Sequence, residues 1–413
     1  MKSFQKTIIK IIFITLFFIA TFTGEFFYRD PLFNNSVLIA KTLQDKLSFA
    51  ITPLKMYTYL GIQTFMWVFI IFLFFPISYC YTFFLNVIIS VHLCNYTKLI
   101  YGQGRPFLRN DDEAISVKMQ CEAGYGNPSG HSFESTSCFL GFSQAIIDIW
   151  ELGTFPQIII YIINAILILL INFSRVILGV HSVNQVIYGD TLGFTVYFII
   201  FQIIKPHKRN AKKFFERFLN LRYIMMNIIF FFVILLYIVL GAIFYDREGE
   251  KEFEDLKEKL KIFCEAKENS MLSRNSVYKS LCIMGYFGMI LGLNSLAYTI
   301  QNQYYSKYNE ANYYYKNTKK KWYFKFGIRF VYLSLCFIPL ISFFIIPNNI
   351  NIIILYVIGS SIPMFIFGFL LFGPYFIFNI SFNDANIELY IPDLKKDGSI
   401  EYKLNEDEDE DEI

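Results

Sequence analysis

The chain has 413 residues, 55% of them hydrophobic, with a mean hydropathy of +0.42. That composition excludes an ordinary soluble protein, and a net charge of +3, from 37 Lys/Arg against 34 Asp/Glu, gives no ground for nucleic-acid binding. The apolar runs reach the roughly 20 residues needed to cross a bilayer and are interrupted too evenly for a single anchor, so the expectation is an all-α, polytopic membrane protein.

Residues 1–10 are basic (Lys2, Lys6, Lys10) and an apolar run follows to about residue 22. It reads as a retained first span: bulky Glu25-Phe26-Phe27-Tyr28 follows where a leader would need a small-residue cleavage site. A polar loop is expected over 29–55. Two spans follow, 56–75 and 77–99, separated by Pro76, and the second delivers Lys98. A loop over 102–127 carries Arg105 and Glu122. A fourth span starts at Pro128 and runs to about 150, and a fifth over 155–173 delivers Ser174 and Arg175. His181 opens the next link, and a sixth span covers 183–204.

The character then changes. Residues 205–222 hold seven Lys/Arg and one acid, before a seventh span at 223–245. A mixed-charge segment (246–274), an eighth span (277–300) and a basic loop with Lys307, Lys316, Lys319, Lys320 and Lys321 follow. Spans nine and ten are expected at 323–346 and 350–380, divided at Pro347, and the run Glu406–Glu412 reads as a solvated acidic tail. The domain plan is a first span with its loop (1–55), a core (56–204), a four-span membrane region (205–380) and a cytosolic tail (381–413). Lys/Arg placement puts the N-terminus in the cytosol. The segment 246–274, with seven Lys/Arg, disagrees by falling outside.

Simple alternation of the spans brings three polar clusters to one face. The first is Lys98-Leu-Ile-Tyr-Gly-Gln-Gly-Arg105-Pro106, the second Asn127-Pro128-Ser129-Gly130-His131, the third Ser174-Arg175 with His181 six residues on. They collect three cations and two of the four histidines. Cations plus imidazoles, with no Cys/His ligand spacing, point to anion chemistry rather than a metal site. In the second cluster Asn127 suits an N-cap and Pro128 a first helical turn, so the amides of Ser129, Gly130 and His131 would form an anion site. An ordinary capped helix start is the alternative, as snorkelling is for Lys98 and Arg175. Gln185, four residues after His181, lies on the same helical face and offers a carbonyl to one imidazole nitrogen. Asn34-Asn35-Ser36 is a glycosylation sequon in the expected first loop. Glu134 and Asp190 are intramembrane acids, with pairing to Arg175 or Lys98 expected for Asp190. His92 is expected to serve helix packing, His207 to lie in a loop, and the cysteines of the apolar runs to be small core residues.

The set K-x6-R-P, P-S-G-H and S-R-x5-H, in that order, resembles the signature of the type 2 phosphatidate phosphatase/haloperoxidase superfamily. The resemblance implies a six-helix phosphatase core with about four extra C-terminal spans. It implies that Lys98, Arg105, Arg175, Ser129 and the amide of Gly130 hold phosphate oxygens. His181 would attack phosphorus to give a phosphohistidine, and His131 would protonate the leaving alkoxide and then activate water. No metal and no cofactor would be needed. The family usually carries Asp at the position of Gln185; glucose-6-phosphatases are similar to this chain in having Gln there and in the run Cys121-Glu122-x-Gly124-x-Gly126. Sphingosine-phosphate phosphatases are similar in their extra spans. The expected substrate is a lipid phosphate (phosphatidate, sphingoid-base phosphate or isoprenyl phosphate), entering from the bilayer between helices. A glucose-6-phosphatase-type sugar phosphatase and a non-catalytic lipid-binding or transport protein with a relict pocket are the alternatives. The expected location is the endoplasmic reticulum membrane, with the plasma membrane second.

Overall fold

A computed structural model describes residues 2–62, 64–75, 77–109, 124–204, 272–292, 322–341, 357–372, 393–394 and 400–401, with isolated positions 206, 232 and 258. Helix α1 (Lys2–Lys46) is followed by a 3-10 turn (Ser48–Ala50), then α2 (Ile51–Ile62), α3 (Thr64–Phe74) and α4 (Ile77–Tyr101). A short α5 (Pro106–Arg109) precedes α6 (Gly130–Ile149), α7 (Thr154–Ile177) and α8 (Val183–Tyr197), which continues as a π-helical stretch, Phe198–Ile204. The C-terminal region contributes α9 (Leu272–Ser280, helical again over 284–292), α10 (Trp322–Cys336) and α11 (Ile362–Phe372). A two-residue strand pair, Asp393–Leu394 with Ile400–Glu401, is the only β-structure among the described residues.

The lateral surface is built for hydrocarbon. On α7, Ile158, Ile159, Ile162, Ile163, Ile166 and Leu169 are exposed while Asn164, Asn172, Ser174 and Arg175 are buried. This apolar-outside, polar-inside helix is stable only where lipid replaces water outside and neighbouring helices satisfy the polar groups inside. Asn164 Nδ2 donates to Ser143 Oγ at 2.7 Å and Asn172 Nδ2 to Asp190 Oδ2 at 2.5 Å, tying α7 to α6 and α8. Between α6 and α8 the contact is closer still. A β-carbon on Gly193 would collide with the Phe133 carbonyl, and one on Gly189 would stand 2.6 Å from the Ser129 carbonyl. Two glycines four apart let these helix backbones touch, which places the start of α6 against the start of α8.

Among the described residues four helical stretches are long and apolar enough to cross a membrane: Ile8–Lys46, Ser78–Tyr101, Thr154–Ile177 and Val183–Ile204. By that measure fewer than the ten expected spans appear. Helix α6 sits inside the bundle and carries Ser132, Ser135, Thr136, Ser137 and Ser143 inward, which lowers its apolarity. The expected span 223–245, the loop histidine His207, the basic loops and the acidic run lie outside the described residues. Ser276–Gly292 and Ile358–Leu371 are shorter apolar helices where spans eight and ten were expected.

The polar loop expected over 29–55 is helical instead. Helix α1 runs through Pro31 to Lys46, and its buried face (Glu25, Phe33, Ser36, Ala40) continues past the polar residues. Tertiary packing along that face decides the conformation over local composition. At 45 residues, α1 is about 68 Å long, over twice the hydrocarbon thickness, so its second half extends along the end of the bundle. The chain then alternates in direction. Lys10 reaches the Gln202 carbonyl and Tyr79 reaches Asp148 at one end, while the three clusters gather at the other. The C-terminal helices cover the α3–α4 side: His92 Nδ1 donates to the Ser280 carbonyl at 3.0 Å, and Phe69 packs on Phe330 and Phe337. His92 thus serves helix packing, and Cys80, Cys94, Cys138, Cys282 and Cys336 are buried as expected.

Candidate active site

Helix α4 ends as its residues require. Gly102 takes a left-handed φ of 55° and returns its N–H to the Lys98 carbonyl at 3.0 Å, a glycine C-cap. The chain leaves the helix, and Arg105 comes back buried into the bundle end. Its Nε donates to the Gly124 carbonyl at 2.8 Å and its Nη1 to the Val180 carbonyl at 3.1 Å. The same Nη1 lies 3.1 Å from His181 Nε2. The first and third clusters therefore meet guanidinium to imidazole.

His181 sits in the link between α7 and α8. Gly179 turns that link with a φ of 68°, and the His181 amide donates to the Arg175 carbonyl at 3.3 Å. On the far edge of the ring, Nδ1 is 3.0 Å from the Gly126 carbonyl and 3.3 Å from Gln185 Oε1. These partners fix the tautomer. A carbonyl only accepts, so Nδ1 carries the proton; a guanidinium only donates, so Nε2 presents its lone pair. The amide of Gln185 is likewise oriented by its surroundings. Its Nε2 donates to the Gly104 carbonyl at 3.0 Å and to Gln103 Oε1 at 3.2 Å. Its Oε1 accepts the Ser182 amide at 3.2 Å, completing a capping box at the start of α8.

The second cluster departs from the expected cap. The N-cap of α6 is Ser129, whose Oγ accepts from the Ser132 amide, and the first helical residue is Gly130. Asn127 lies before the helix and gives its Nδ2 to Glu25 Oε1 of α1 at 2.8 Å. The Ser129 amide is used by the Gln185 carbonyl at 2.9 Å, so it does not join the expected anion site. The amides of Gly130 and His131 remain in a first turn that has no intrahelical acceptors for them. Lys98 comes to that turn: its Nζ is 3.7 Å from where a β-carbon on Gly130 would stand. His131 follows, buried, as the second residue of α6. Arg175 is fully buried and its Nη1 donates to Thr58 Oγ1 of α2 at 3.1 Å.

The structure thus joins Arg105, His181, Gln185 and Ser129 by hydrogen bonds and sets Lys98 beside Gly130. Arg175 is linked to His181 through its own carbonyl. The pairing expected between Asp190 and Arg175 or Lys98 is not formed; Asp190 accepts instead from Thr136 Oγ1 at 2.8 Å and from Asn172. Small polar partners at the right depth removed any need for a cation. Sequence reasoning missed Gln103, Thr58, Glu25 and the Gly126 carbonyl. Only Glu25, a lone acid in an apolar run, left a readable signal. A ring with one nitrogen protonated and the other carrying its lone pair, beside a guanidinium, a lysine and a helix N-terminus, can attack an electrophilic centre carrying bound oxyanions.

Residues 75–209 match the profile of the PAP2 superfamily. Over 92 residues the chain is 28% identical to phosphatidylglycerophosphatase B of Bacillus subtilis (strain 168), a stretch covering 22% of this chain and 45% of that relative. The chain therefore spans less than half the length of the curated relative it matches. No solved structure matches the chain significantly.

Proposed function

We propose, from the membership of residues 75–209 in the PAP2 superfamily, that this protein is a membrane phosphomonoesterase with His181 as nucleophile. The observation that carries the proposal is the His181 tautomer, with Nδ1–H on the Gly126 carbonyl and the Nε2 lone pair facing Arg105. A phosphate ester entering the site takes the N–H groups of Arg105, together with Lys98, Arg175 and the amide of Gly130. Nε2 is then released toward phosphorus. The Nε2–P bond forms as the P–O bond to the alcohol breaks, and His131 gives the leaving oxygen its proton. His131 next takes a proton from water, whose oxygen attacks phosphorus; the P–N bond breaks and inorganic phosphate leaves. The cations and the helix N-terminus stabilise the equatorial oxygens through both steps.

The preferred substrate is a lipid phosphate. Two features support this: the apolar outer faces of α1 and α7, and the name of the bacterial relative. The endoplasmic-reticulum location has no residue behind it. A sugar phosphate is the second reading, favoured by Gln185 in place of the family's Asp. Phosphate release by purified protein decides between them. It should proceed with phosphatidate, phosphatidylglycerol phosphate or a sphingoid-base phosphate in mixed micelles, and be lost in His181→Ala. Release from glucose 6-phosphate alone would transfer the proposal to the second reading, and turnover by His181→Ala would end the mechanism.

A further inference from the structure

The superfamily match begins at residue 75, yet a helix before it makes contacts in or beside each of the three clusters. Four contacts from α1 reach the three clusters. Arg29 lies over the Tyr101 ring at the end of α4, 5.7 Å from its centroid. Glu25 Oε1 accepts the Asn127 side-chain amide at 2.8 Å. Ser36 Oγ accepts the Val183 amide at 2.8 Å, and Gln44 Nε2 donates to the Ile177 carbonyl at 2.7 Å.

The last two contacts are helix caps supplied from a distance. Val183 is the first residue of α8 and Ile177 the last of α7, so each presents a backbone group that its own helix does not satisfy. One helix closes both, and His181 lies in the link between them. The opposite side of the imidazole depends on the loop at Gly126. That loop is pinned by Gly126 N–H on the Gln103 carbonyl at 2.8 Å, by Asn127 on Glu25, and by Ser129 N–H on the Gln185 carbonyl. Glu25 is fully buried, with Arg29 of its own helix 4.0 Å from Oε2. A buried carboxylate is costly to keep in an apolar helix unless it has a task.

We infer that α1 is a strap that sets the geometry of the nucleophile, and that Glu25 is a positioning residue. It acts through Asn127 to hold the Gly126 carbonyl against His181 Nδ1. The inference rests on His181 being the nucleophile. Glu25 itself contacts no reacting atom. Its loss lets the Gly126 carbonyl drift, so the ring turns off the line of attack while the cations stay in place.

The test compares two inhibitors. Vanadate mimics the pentacoordinate state and needs a well-aimed His181 Nε2; inorganic phosphate needs only the oxyanion contacts. With full-length protein and an aryl phosphate in detergent, Glu25→Ala should lower kcat by about 10–100-fold, the range for lost orienting partners and ångström-scale misplacement. Vanadate inhibition should weaken in step, inhibition by inorganic phosphate should hold within about twofold, and the protein should still elute as a monodisperse peak. Glu25→Gln keeps an acceptor for Asn127 and should restore most of the rate, while Glu25→Ala combined with Asn127→Ala should lose no more than either alone. Equal weakening of vanadate and phosphate, failure of Glu25→Gln to rescue, or a wild-type Glu25→Ala would each overturn the strap. His181→Ala run in parallel separates the causes: if it is inactive while Glu25→Ala is normal, only the strap falls; if it turns over, the nucleophile falls too.

Discussion

Gln185 stands where the superfamily that this chain resembles usually carries a carboxylate, and its surroundings say what a change there would cost. The side chain is fully buried and makes four hydrogen bonds: to His181 Nδ1, the Ser182 amide, the Gly104 carbonyl and Gln103 Oε1. In Gln185→Ala, the Ser182 N–H, the Gly104 carbonyl and Gln103 all lose a partner. At about 1–3 kcal/mol per orphaned buried group, with water entering part of the space, a loss of about 2–5 kcal/mol in stability is expected. The rate should suffer less. His181 Nδ1 keeps its nearer acceptor, the Gly126 carbonyl at 3.0 Å against 3.3 Å for Gln185, so the tautomer survives. A loss near the lower end of the ~10–100-fold range is expected in kcat.

Gln185→Asp separates charge from orientation. A carboxylate accepts at His181 but cannot donate to Gly104 or Gln103, so this variant should also lose stability. Its negative charge favours the imidazolium, so the neutral nucleophilic ring takes over at higher pH. The acidic limb of kcat/KM should move up by on the order of one to two pH units, the effect of an opposite charge at ~4–6 Å. Thermal unfolding in detergent and pH–rate profiles of both variants check this. If Gln185→Ala is as inactive as His181→Ala, the Gly126 carbonyl does not hold the tautomer and the reasoning fails. If Gln185→Asp keeps both the wild-type limb and the wild-type stability, Gln185 does not touch His181.

Three further outcomes follow from other parts of the molecule. In the proposed mechanism Lys98, Arg105 and Arg175 would supply the charge that a metal would otherwise supply, so EDTA should leave phosphate release unchanged and vanadate should inhibit; a strict magnesium requirement contradicts this. A Gly193→Ala substitution puts a methyl group against the Phe133 carbonyl and should lower stability by about 1–3 kcal/mol through separation of α6 from α8, read as a lower detergent-solubilised Tm. Asn34 lies within α1, and Ser36 donates to the Leu32 carbonyl while receiving the Val183 amide, so the sequon should stay unglycosylated and Asn34→Gln should not change electrophoretic mobility.

The parts of the site that sequence displayed are those whose chemistry resides in side chains at span ends. Lys98, Arg105, Arg175 and His181 each interrupt or close an apolar run, and alternation alone brings them to one face. What sequence did not display is where backbone groups go. The Gly126 carbonyl, which is the nearest partner of His181 Nδ1, has no side chain to announce it. Helix α1 was misread beyond residue 28 because its polar residues look like a loop. Its fate is decided by Glu25, Ser36 and Gln44, eleven and eight residues apart, whose partners lie 102, 147 and 133 residues away in the chain. Only the first of them, an acid in an apolar stretch, could have raised suspicion.

The two ends of the bundle solve one physical problem in opposite ways. Inside a bilayer every polar group needs a partner. At the far end the partners are side chains: Gln144 Oε1 accepts from Tyr161, Tyr197 and Gln202, and Gln144 Nε2 donates to Asp148 at 2.7 Å. Such a network binds four helical segments and has no open task. At the site end Arg105 reaches backbone carbonyls and an imidazole, and Arg175 reaches a hydroxyl. The buried acids nearby are kept elsewhere, Asp190 on Thr136 and Asn172, Glu25 on Asn127 and Arg29. Had either carboxylate paired with Arg105, it would compete with phosphate for the same donors in the same bidentate geometry. With those acids on amides, hydroxyls and Arg29, the carbonyls, imidazole and hydroxyl described around Arg105 and Arg175 are neutral groups that an oxyanion could displace.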